Sequence, residues 1–181
     1  MIQYIVFMAD VQAAQIGKLR EAITNAMNAG NDIHLIMSSP GGNVAEGLNM
    51  AAFMKSLPVK ITTHNFLQTD SIANVIFASG SVRYASPNSS FMFHGVTFHY
   101  EKQDLTENQI GEQHTGIRML REKIAAAFAA YTGMTTTEVN SLMVSGTTTL
   151  APQEALSKGI IHEIRDAAVP PGSQVVSIGN I

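Results

Sequence analysis

Two side chains and two backbone segments of this sequence could together carry out nucleophilic catalysis. Ser71 begins a run of small and apolar residues typical of a buried helix, and His94 ends a strand-like run that could lie beside it. A serine hydroxyl attacks a carbonyl only where a base takes its proton and fixed donors receive the oxyanion. His94 is the candidate base. The candidate donors are the backbone N–H of Ile72, at the helix start, and that of Gly42, whose missing side chain lets a second backbone segment approach.

Each of these residues also has an ordinary structural interpretation. Ser71 is a common type of helix N-cap, the Gly41-Gly42 pair suits a tight turn, and His94 could be a buried strand histidine. Taken one at a time, these structural interpretations are the more common ones. The enzymatic hypothesis therefore depends on all the parts meeting at one place.

Motifs for cofactors and metals are absent from the sequence. No GxGxxG opens a helix and no GxxxxGK[ST] is present, which argues against dinucleotide and nucleoside triphosphate binding. The absence of cysteine removes disulfides, thiolate catalysis and thiolate metal sites. The six histidines form neither HExxH nor a helical pair beside a carboxylate. We therefore expect no cofactor and no metal.

Length and composition favour one soluble domain. The 181 residues are 45% hydrophobic and 14% charged, enough to bury a full core. The net charge of -3, without a basic cluster, argues against a nucleic-acid partner. The first ten residues carry no basic segment, and their apolar run is too short for a signal peptide or a membrane span. We expect a cytoplasmic protein that does not bind membranes.

Short strand-like runs alternate with helical stretches, a pattern typical of an α/β domain with a largely parallel sheet. After Val169 the pattern is lost, which predicts either a tail without fixed structure or an extension at a sheet edge. The predicted strands lie at 4–8, 33–37, 59–63, 82–85, 91–94, 97–100 and 160–164. The predicted helices lie at about 11–29, 44–57, 71–79, 107–131, 135–143 and 152–156.

Four sequence blocks follow one another with characteristic gaps. They are SPGG followed by GLNM within 39–50, LQTDSI at 67–72, RYASPNSSFMFH at 83–94 and EALSKGII at 154–161. In this order they resemble the proteolytic subunit of the Clp protease, within the Clp protease and crotonase superfamily, over about residues 3–165. The resemblance implies a spiral of β-β-α units with a protruding handle at about 97–131. It also implies a single domain over 1–168, followed by a C-terminal tail at 169–181.

The resemblance further implies a serine-type endopeptidase. Ser71 would be the nucleophile, His94 the general base and later the acid, and the N–H groups of Gly42 and Ile72 the oxyanion hole. Peptide or unfolded protein substrates would bind as an added strand near Gly42 and His94, inside a chamber built by a homo-oligomeric ring. No GxSxG elbow is present, so a lipase-type hydrolase is disfavoured.

One departure concerns the acid of the triad. The family has an aspartate where this sequence has Thr147, and the loss of that acid in a serine protease lowers turnover by roughly four orders of magnitude. A peptidase with a Ser-His dyad, or with Asp104 or Glu101 as a substitute acid, remains open. The alternatives are a catalytically silent ring or scaffold subunit and, disfavoured by the serine and histidine blocks, a crotonase-type acyl-thioester enzyme.

Two further departures affect the nucleophile and the partners. Gln68, Thr69 and Asp70 stand where the family has small residues, and an ionised Asp70 would oppose an oxyanion unless it faces away. The family carries a polar N-terminal segment towards its AAA+ unfoldase, whereas this sequence starts almost at the first strand. This difference argues against coupling to an unfoldase.

Overall fold

The computed structural model describes residues 1–97 and 104–179, which form a mixed α/β structure around one eight-stranded sheet. The strands are β1 (Ile2–Met8), β2 (Asp32–Ser39), β3 (Ile61–Asp70), β4 (Val82–Ala85), β5 (Ser90–Phe93), β6 (Thr148–Leu150), β7 (Glu163–Ile164) and β8 (Val175–Gly179). The helices are α1 (Ala13–Asn28), α2 (Val44–Ser56), α3 (Ala73–Ala78), α4 (Glu107–Tyr131), α5 (Thr136–Val144) and α6 (Pro152–Ser157). The predicted strand at 97–100 lies mostly outside the described residues, as does part of the predicted handle.

The sheet is parallel except where β6 runs antiparallel to β5. Its main path is β6-β5-β3-β2-β1-β8, with β4 paired to β3 and β7 paired to β4. Strand β3 pairs with β4 over 62–65 and with β5 over 68–70, because its register against β2 shifts after Asn65. The shift lets one long strand organise both halves of the sheet, and its carboxyl end leads into the Ser71 turn.

The core lies between the helices and one face of this sheet. Apolar residues at helical spacing on α1, including Ile16, Leu19 and Ile23, are completely buried. Alternate residues of the strands, such as Phe7 on β1 and Leu35 on β2, meet them from below. These buried residues belong to the apolar runs from which the strands were predicted. Within the described ranges, no helix combines the length and hydropathy needed to cross a bilayer.

Several element boundaries differ from the sequence-based predictions. Strand β3 continues to Asp70 instead of ending at residue 63, and β7 covers only Glu163 and Ile164. Strand β6 was not predicted. The segment after Val169, predicted to be either a tail without fixed structure or an extension at a sheet edge, forms the edge strand β8. Each difference involves pairing with a strand distant in the chain, which local sequence patterns do not encode.

Candidate active site

Ser71 occupies a strained turn between β3 and α3. The prediction that it begins the helix is wrong: α3 begins at Ala73, and Ser71 has a φ of 56°, the only positive φ among described residues other than glycine. Its N–H donates to the carbonyl of Met92 (2.8 Å), and Asn74 Nδ2 donates to that carbonyl as well (2.8 Å). This clamp to β5 holds a backbone conformation that costs a β-carbon-bearing residue about 1–2 kcal/mol.

Gly41 and Gly42 bring the turn after β2 against this strained turn. Gly41 has a φ of 89°, and a β-carbon on it would lie 2.7 Å from both the carbonyl oxygen of Asp70 and the β-carbon of Ser71. Gly42 has a φ of 148°, and a β-carbon on it would lie 2.5 Å from the carbonyl oxygen of Val11. The two glycines are therefore required by contact on both sides of the turn.

The N–H groups of Gly42 and Ile72 are free to receive a ligand. The hydrogen bonds of this turn are made by its neighbours: Val11 donates to the Gly41 carbonyl (2.8 Å), and Asn43 donates to the Val11 carbonyl (2.7 Å). Neither Gly42 nor Ile72 donates its N–H to another described residue, and both residues line the same cavity as Ser71. The predicted pair of backbone donors is thus brought together.

Gly47 explains how Ile72 is positioned. It lies in α2, buried, and a β-carbon on it would overlap the side chain of Ile72. Ile72 in turn is 1% exposed. Gly47 is visible in the sequence as the first residue of GLNM in the first block. The need for glycine there comes from its contact with Ile72, 25 positions away.

His94 follows β5 and lines the cavity that contains Ser71. Its Nδ1 lies 2.6 Å from the carbonyl oxygen of Gly95, and because a carbonyl only accepts, Nδ1 carries the proton. Nε2 is then the unprotonated nitrogen that a general base needs. In the described part of the chain, no hydrogen bond joins the Ser71 hydroxyl to this ring.

Thr147 and His94 each lie one residue beyond the last pair of β5 and β6. In the antiparallel pairing of β5 and β6, Phe93 is opposite Thr148, so the next pair in that register is His94 with Thr147. Thr147 is exposed. Of the two substitute acids, Asp104 is exposed, and Glu101 lies outside the described residues.

Asp70 is the carboxyl nearest in sequence to the nucleophile. Burial raises its pKa, while the Met92 backbone N–H and the positive charge of His94 act in the opposite direction. Its Oδ1 is buried and has no hydrogen-bond partner among residues 1–97 and 104–179. Burial therefore favours the neutral form of this carboxyl relative to an ordinary aspartate.

The cavity itself has a polar end and an apolar end, with a volume of about 250 Å³. The polar end contains Gly42, Ser71, Ile72 and His94. The apolar end is lined by Phe93, Ile124, Phe128, Val139 and Met143. Phe93 and Phe128 meet edge to face with centroids 5.3 Å apart, so β5 and α4 are packed firmly there. Local sequence patterns do not predict this apolar end, because its residues come from three separate elements, β5, α4 and α5.

Arg83, the first residue of the third block, has a structural role. It is 7% exposed, and its guanidinium donates to the carbonyls of Gly80 (3.2 Å), Gly159 (3.1 Å) and Ile160 (2.6 Å). It thereby ties the end of α3 to the turn after α6. The third and fourth sequence blocks are joined by this contact, away from the cavity.

Comparison with known proteins agrees with the geometry. The chain is similar over 91% of its length to a point mutant of ClpP1 from Listeria monocytogenes, covering 92% of that chain, with a TM-score of 0.80 and 18% sequence identity. That match shows a common fold. The family model described as Clp protease matches residues 4–168. With its blocks, its fold and this match over most of its length, the chain belongs to the Clp protease family.

Proposed function

We propose that this protein is a serine peptidase subunit that cleaves peptide bonds through an acyl-enzyme on Ser71. The proposal rests on one observation. Ser71 and His94 line the same cavity as Gly42 and Ile72, whose backbone N–H groups donate to no described residue. A hydroxyl, an imidazole and a double backbone donor site are the parts that acyl transfer from a peptide needs. Family membership supports the same class of reaction.

In the first step, Ser71 Oγ attacks the carbonyl carbon of the scissile bond while its proton passes to His94 Nε2. The electron pair of the carbonyl moves to its oxygen, and the N–H groups of Gly42 and Ile72 bind the resulting oxyanion. The intermediate collapses, the C–N bond breaks, and His94 delivers the proton to the leaving amine. Water then attacks the ester with His94 as base, which releases the acid and restores Ser71.

The Gly95 carbonyl takes over one part of the missing acid's work. By accepting from Nδ1 at 2.6 Å it holds the imidazole in the tautomer in which Nε2 is a base. A neutral carbonyl stabilises imidazolium less than a carboxylate does, because it lacks a full negative charge. We therefore expect a dyad enzyme with low turnover.

The apolar end of the cavity supports a substrate preference. Val139, Met143 and Phe128 line it beyond the Ser71 end, so the side chain nearest the cleaved bond would be aliphatic or aromatic. Burying such a side chain contributes about 1.5–3 kcal/mol. The peptide backbone would lie as an added strand beside Gly42 and Val44, which both face this cavity.

We extend the proposal to a homo-oligomeric ring in the cytoplasm that encloses peptide or unfolded protein substrates. Ile110 and Met119 on α4 are 56% and 51% exposed, and apolar residues at such positions suit contacts between copies. Light scattering of the purified protein tests the assembly, and a strict monomer would exclude the chamber. We propose no AAA+ unfoldase as a partner.

A second candidate, a silent ring or scaffold subunit, is favoured by a specific observation. No carboxylate stands at Thr147, opposite His94, and no described hydrogen bond connects Ser71 with His94. A chain that lacks the acid and the hydrogen bond between Ser71 and His94 would keep the fold and the assembly surfaces but would not catalyse peptide cleavage. The crotonase-type alternative shares the double backbone donors but does not need this serine and histidine pair.

A fluorophosphonate probe separates these candidates. The peptidase should be labelled at Ser71, and both Ser71→Ala and His94→Ala should remove the label. His114→Ala is the matched control, because this histidine is exposed on α4. Labelling of the native protein together with cleavage of an apolar peptide supports the peptidase. A correctly assembled protein that is never labelled supports the silent subunit.

A further inference from the structure

The C-terminal residues link opposite edges of the sheet. Strand β7 pairs with β4, whereas β8 pairs with β1, and β3 and β2 lie between β4 and β1. The ten residues 165–174, here named the strap, make this connection. Five strand spacings amount to about 24 Å, and ten extended residues reach about 33–36 Å. The strap therefore crosses four strands with about 10 Å of reach to spare.

Both ends of the strap are held by hydrogen bonds to the sheet, and its first residue, Arg165, lies on the face that carries the Tyr84 ring. At one end Arg165 donates its N–H to the Ala85 carbonyl (2.9 Å), and its guanidinium lies 5.0 Å from the centre of the Tyr84 ring. At the other end the Gln174 carbonyl accepts from Gln3 Nε2 (2.9 Å) and from the Tyr4 N–H (3.2 Å).

Two stacked imidazoles lie on the same face. His64 is 1% exposed, and its ring stacks on that of His34 with centroids 5.8 Å apart. His34 stacks in turn on Tyr4 at 5.3 Å. His64 Nε2 lies 3.3 Å from the Ser86 hydroxyl, while His64 Nδ1 and His34 Nε2 are buried without a partner in the part of the chain described. The Arg165 backbone is placed to favour the charged form of His64, but burial and the neighbouring positive charges disfavour that form more strongly.

The charges around the imidazoles come mainly from the strap. Arg165 adds a positive charge near both rings, and Asp166 adds a negative one near His64. Glu163 on β7 contacts Arg165 at 3.9 Å. The ring neighbours on β1 and β4 are Tyr4 and Tyr84. Protonation of both imidazoles would place three positive charges against two carboxylates.

We propose that the strap is an acid-released latch, closed over neutral His64 and His34 and detached when these rings take up protons. Release would free β8 from the edge of β1 and uncover the aromatic face of the sheet. This inference goes beyond the proposed function and does not depend on Ser71 or His94. It rests on the stacking of the two buried rings, on their ring nitrogens without a hydrogen-bond partner in the described chain, and on the cation of the strap itself.

The direction of the pH effect follows from the pKa values. Burial, the charge of His34 and the charge of Arg165 lower the pKa of His64, while the Arg165 backbone and Asp166 raise it. The net effect is a fall of this pKa from 6.5 to about 4 while the strap is closed. With the strap open, the pKa of this ring returns towards 6.5, so the open state binds the proton more readily. Stability of the closed strap is complete above pH 6.5 and is lost as the pH falls towards 4. Between pH 7.5 and pH 5 the ratio of open to closed strap should rise by about 10- to 30-fold.

Native-state hydrogen exchange measures this release. Protection of the Arg165 and Tyr4 amides and of β8, corrected for the intrinsic rate at each pH, should fall by about 10- to 30-fold at pH 5. Amides of the central strand β2 should keep their protection. His64→Gln should abolish the selective loss, and His114→Gln, on the exposed face of α4, should leave it unchanged.

A second variant tests the proposal even if the His64→Gln protein does not fold. Arg165→Gln removes the strap's cation from Tyr84 and from the imidazoles, so the strap should be looser at pH 7.5 and less sensitive to acid. Equal protection of the strap amides at both pH values would overturn the proposal. Parallel loosening of β2 would also overturn it, because that result indicates general acid unfolding.

Discussion

A β-carbon on Gly41 would lie 2.7 Å from the β-carbon of Ser71, so the turn after β2 is packed directly against the turn that carries the candidate nucleophile. The same hypothetical atom would lie 3.4 Å from the Ile72 nitrogen. This contact is what brings two separate backbone donors to one cavity. The SPGG block is thus explained by steric contact, without any need for a phosphate or another ligand.

Gly41→Ala should damage both stability and catalysis. The new methyl group would collide with Asp70 and Ser71, and the φ of 89° is strained for alanine, so we expect a loss of about 2 kcal/mol of unfolding free energy. Thermal unfolding and the rate of fluorophosphonate labelling measure the two effects. Gly111→Ala is the control, because Gly111 lies in α4 with open space around its α-carbon, and alanine there should stabilise slightly. Wild-type labelling of Gly41→Ala would contradict the contact.

Ser71→Gly should be more stable than Ser71→Ala. Both variants lack the hydroxyl and should be inactive, but only glycine accepts a φ of 56° without strain. The difference in unfolding free energy should be about 1 kcal/mol in favour of glycine. Chemical denaturation of both variants measures it. Equal stability would mean that the turn relaxes once the serine is gone.

Asp70→Asn should stabilise the protein increasingly as the pH rises. Because burial raises the pKa of Asp70 above 3.8, the native state favours the protonated carboxyl, and its contribution to stability is lost as the pH rises through the native value. The melting temperature of Asp70→Asn minus that of the wild type should therefore be larger at pH 7.5 than at pH 4. Asp10→Asn serves as the control at an exposed position. A difference that does not change with pH would show that burial does not raise the pKa of Asp70.

Thr147→Asp should raise peptidase activity if the dyad is otherwise assembled. The residue is the next position after the Phe93–Thr148 pair, so a carboxylate there could reach the Nδ1 side of His94 and stabilise imidazolium. We expect an increase in kcat of at least about tenfold, within the four orders of magnitude that the acid contributes elsewhere. Thr149→Asp, exposed on the same strand, is the matched control. No gain from Thr147→Asp would favour the silent subunit.

Arg83→Met should destabilise the fold without changing the cavity chemistry directly. The substitution leaves the carbonyls of Gly80, Gly159 and Ile160 without their donor in a buried region, at a cost of about 3 kcal/mol. Equilibrium unfolding in urea measures the loss. Arg118→Met is the control, because its ion pair with Glu122 is exposed and should contribute less than about 1 kcal/mol.

The sequence by itself determined the elements whose patterns are local. The spacing of Ile16, Leu19 and Ile23 predicted α1, and the apolar runs predicted β1 and β2. The predicted handle helix at 107–131 has the bounds of α4. The four blocks indicated the family, because turns of fixed geometry require glycine or proline at particular positions and these residues can be recognised in the sequence.

Only the tertiary structure decided how the candidate site is built. The helix prediction for Ser71 failed because its strained turn is held by the Met92 carbonyl, 21 residues away, and local propensity carries no information about that bond. The same holds for the second half of β3, which pairs with β5, and for the pairing of β5 with β6. The sequence left open whether the segment after Val169 is a tail without fixed structure or an extension at a sheet edge, and its pairing with β1 makes it the edge strand β8. Local order follows from neighbours along the chain, whereas these contacts follow from which strands pair.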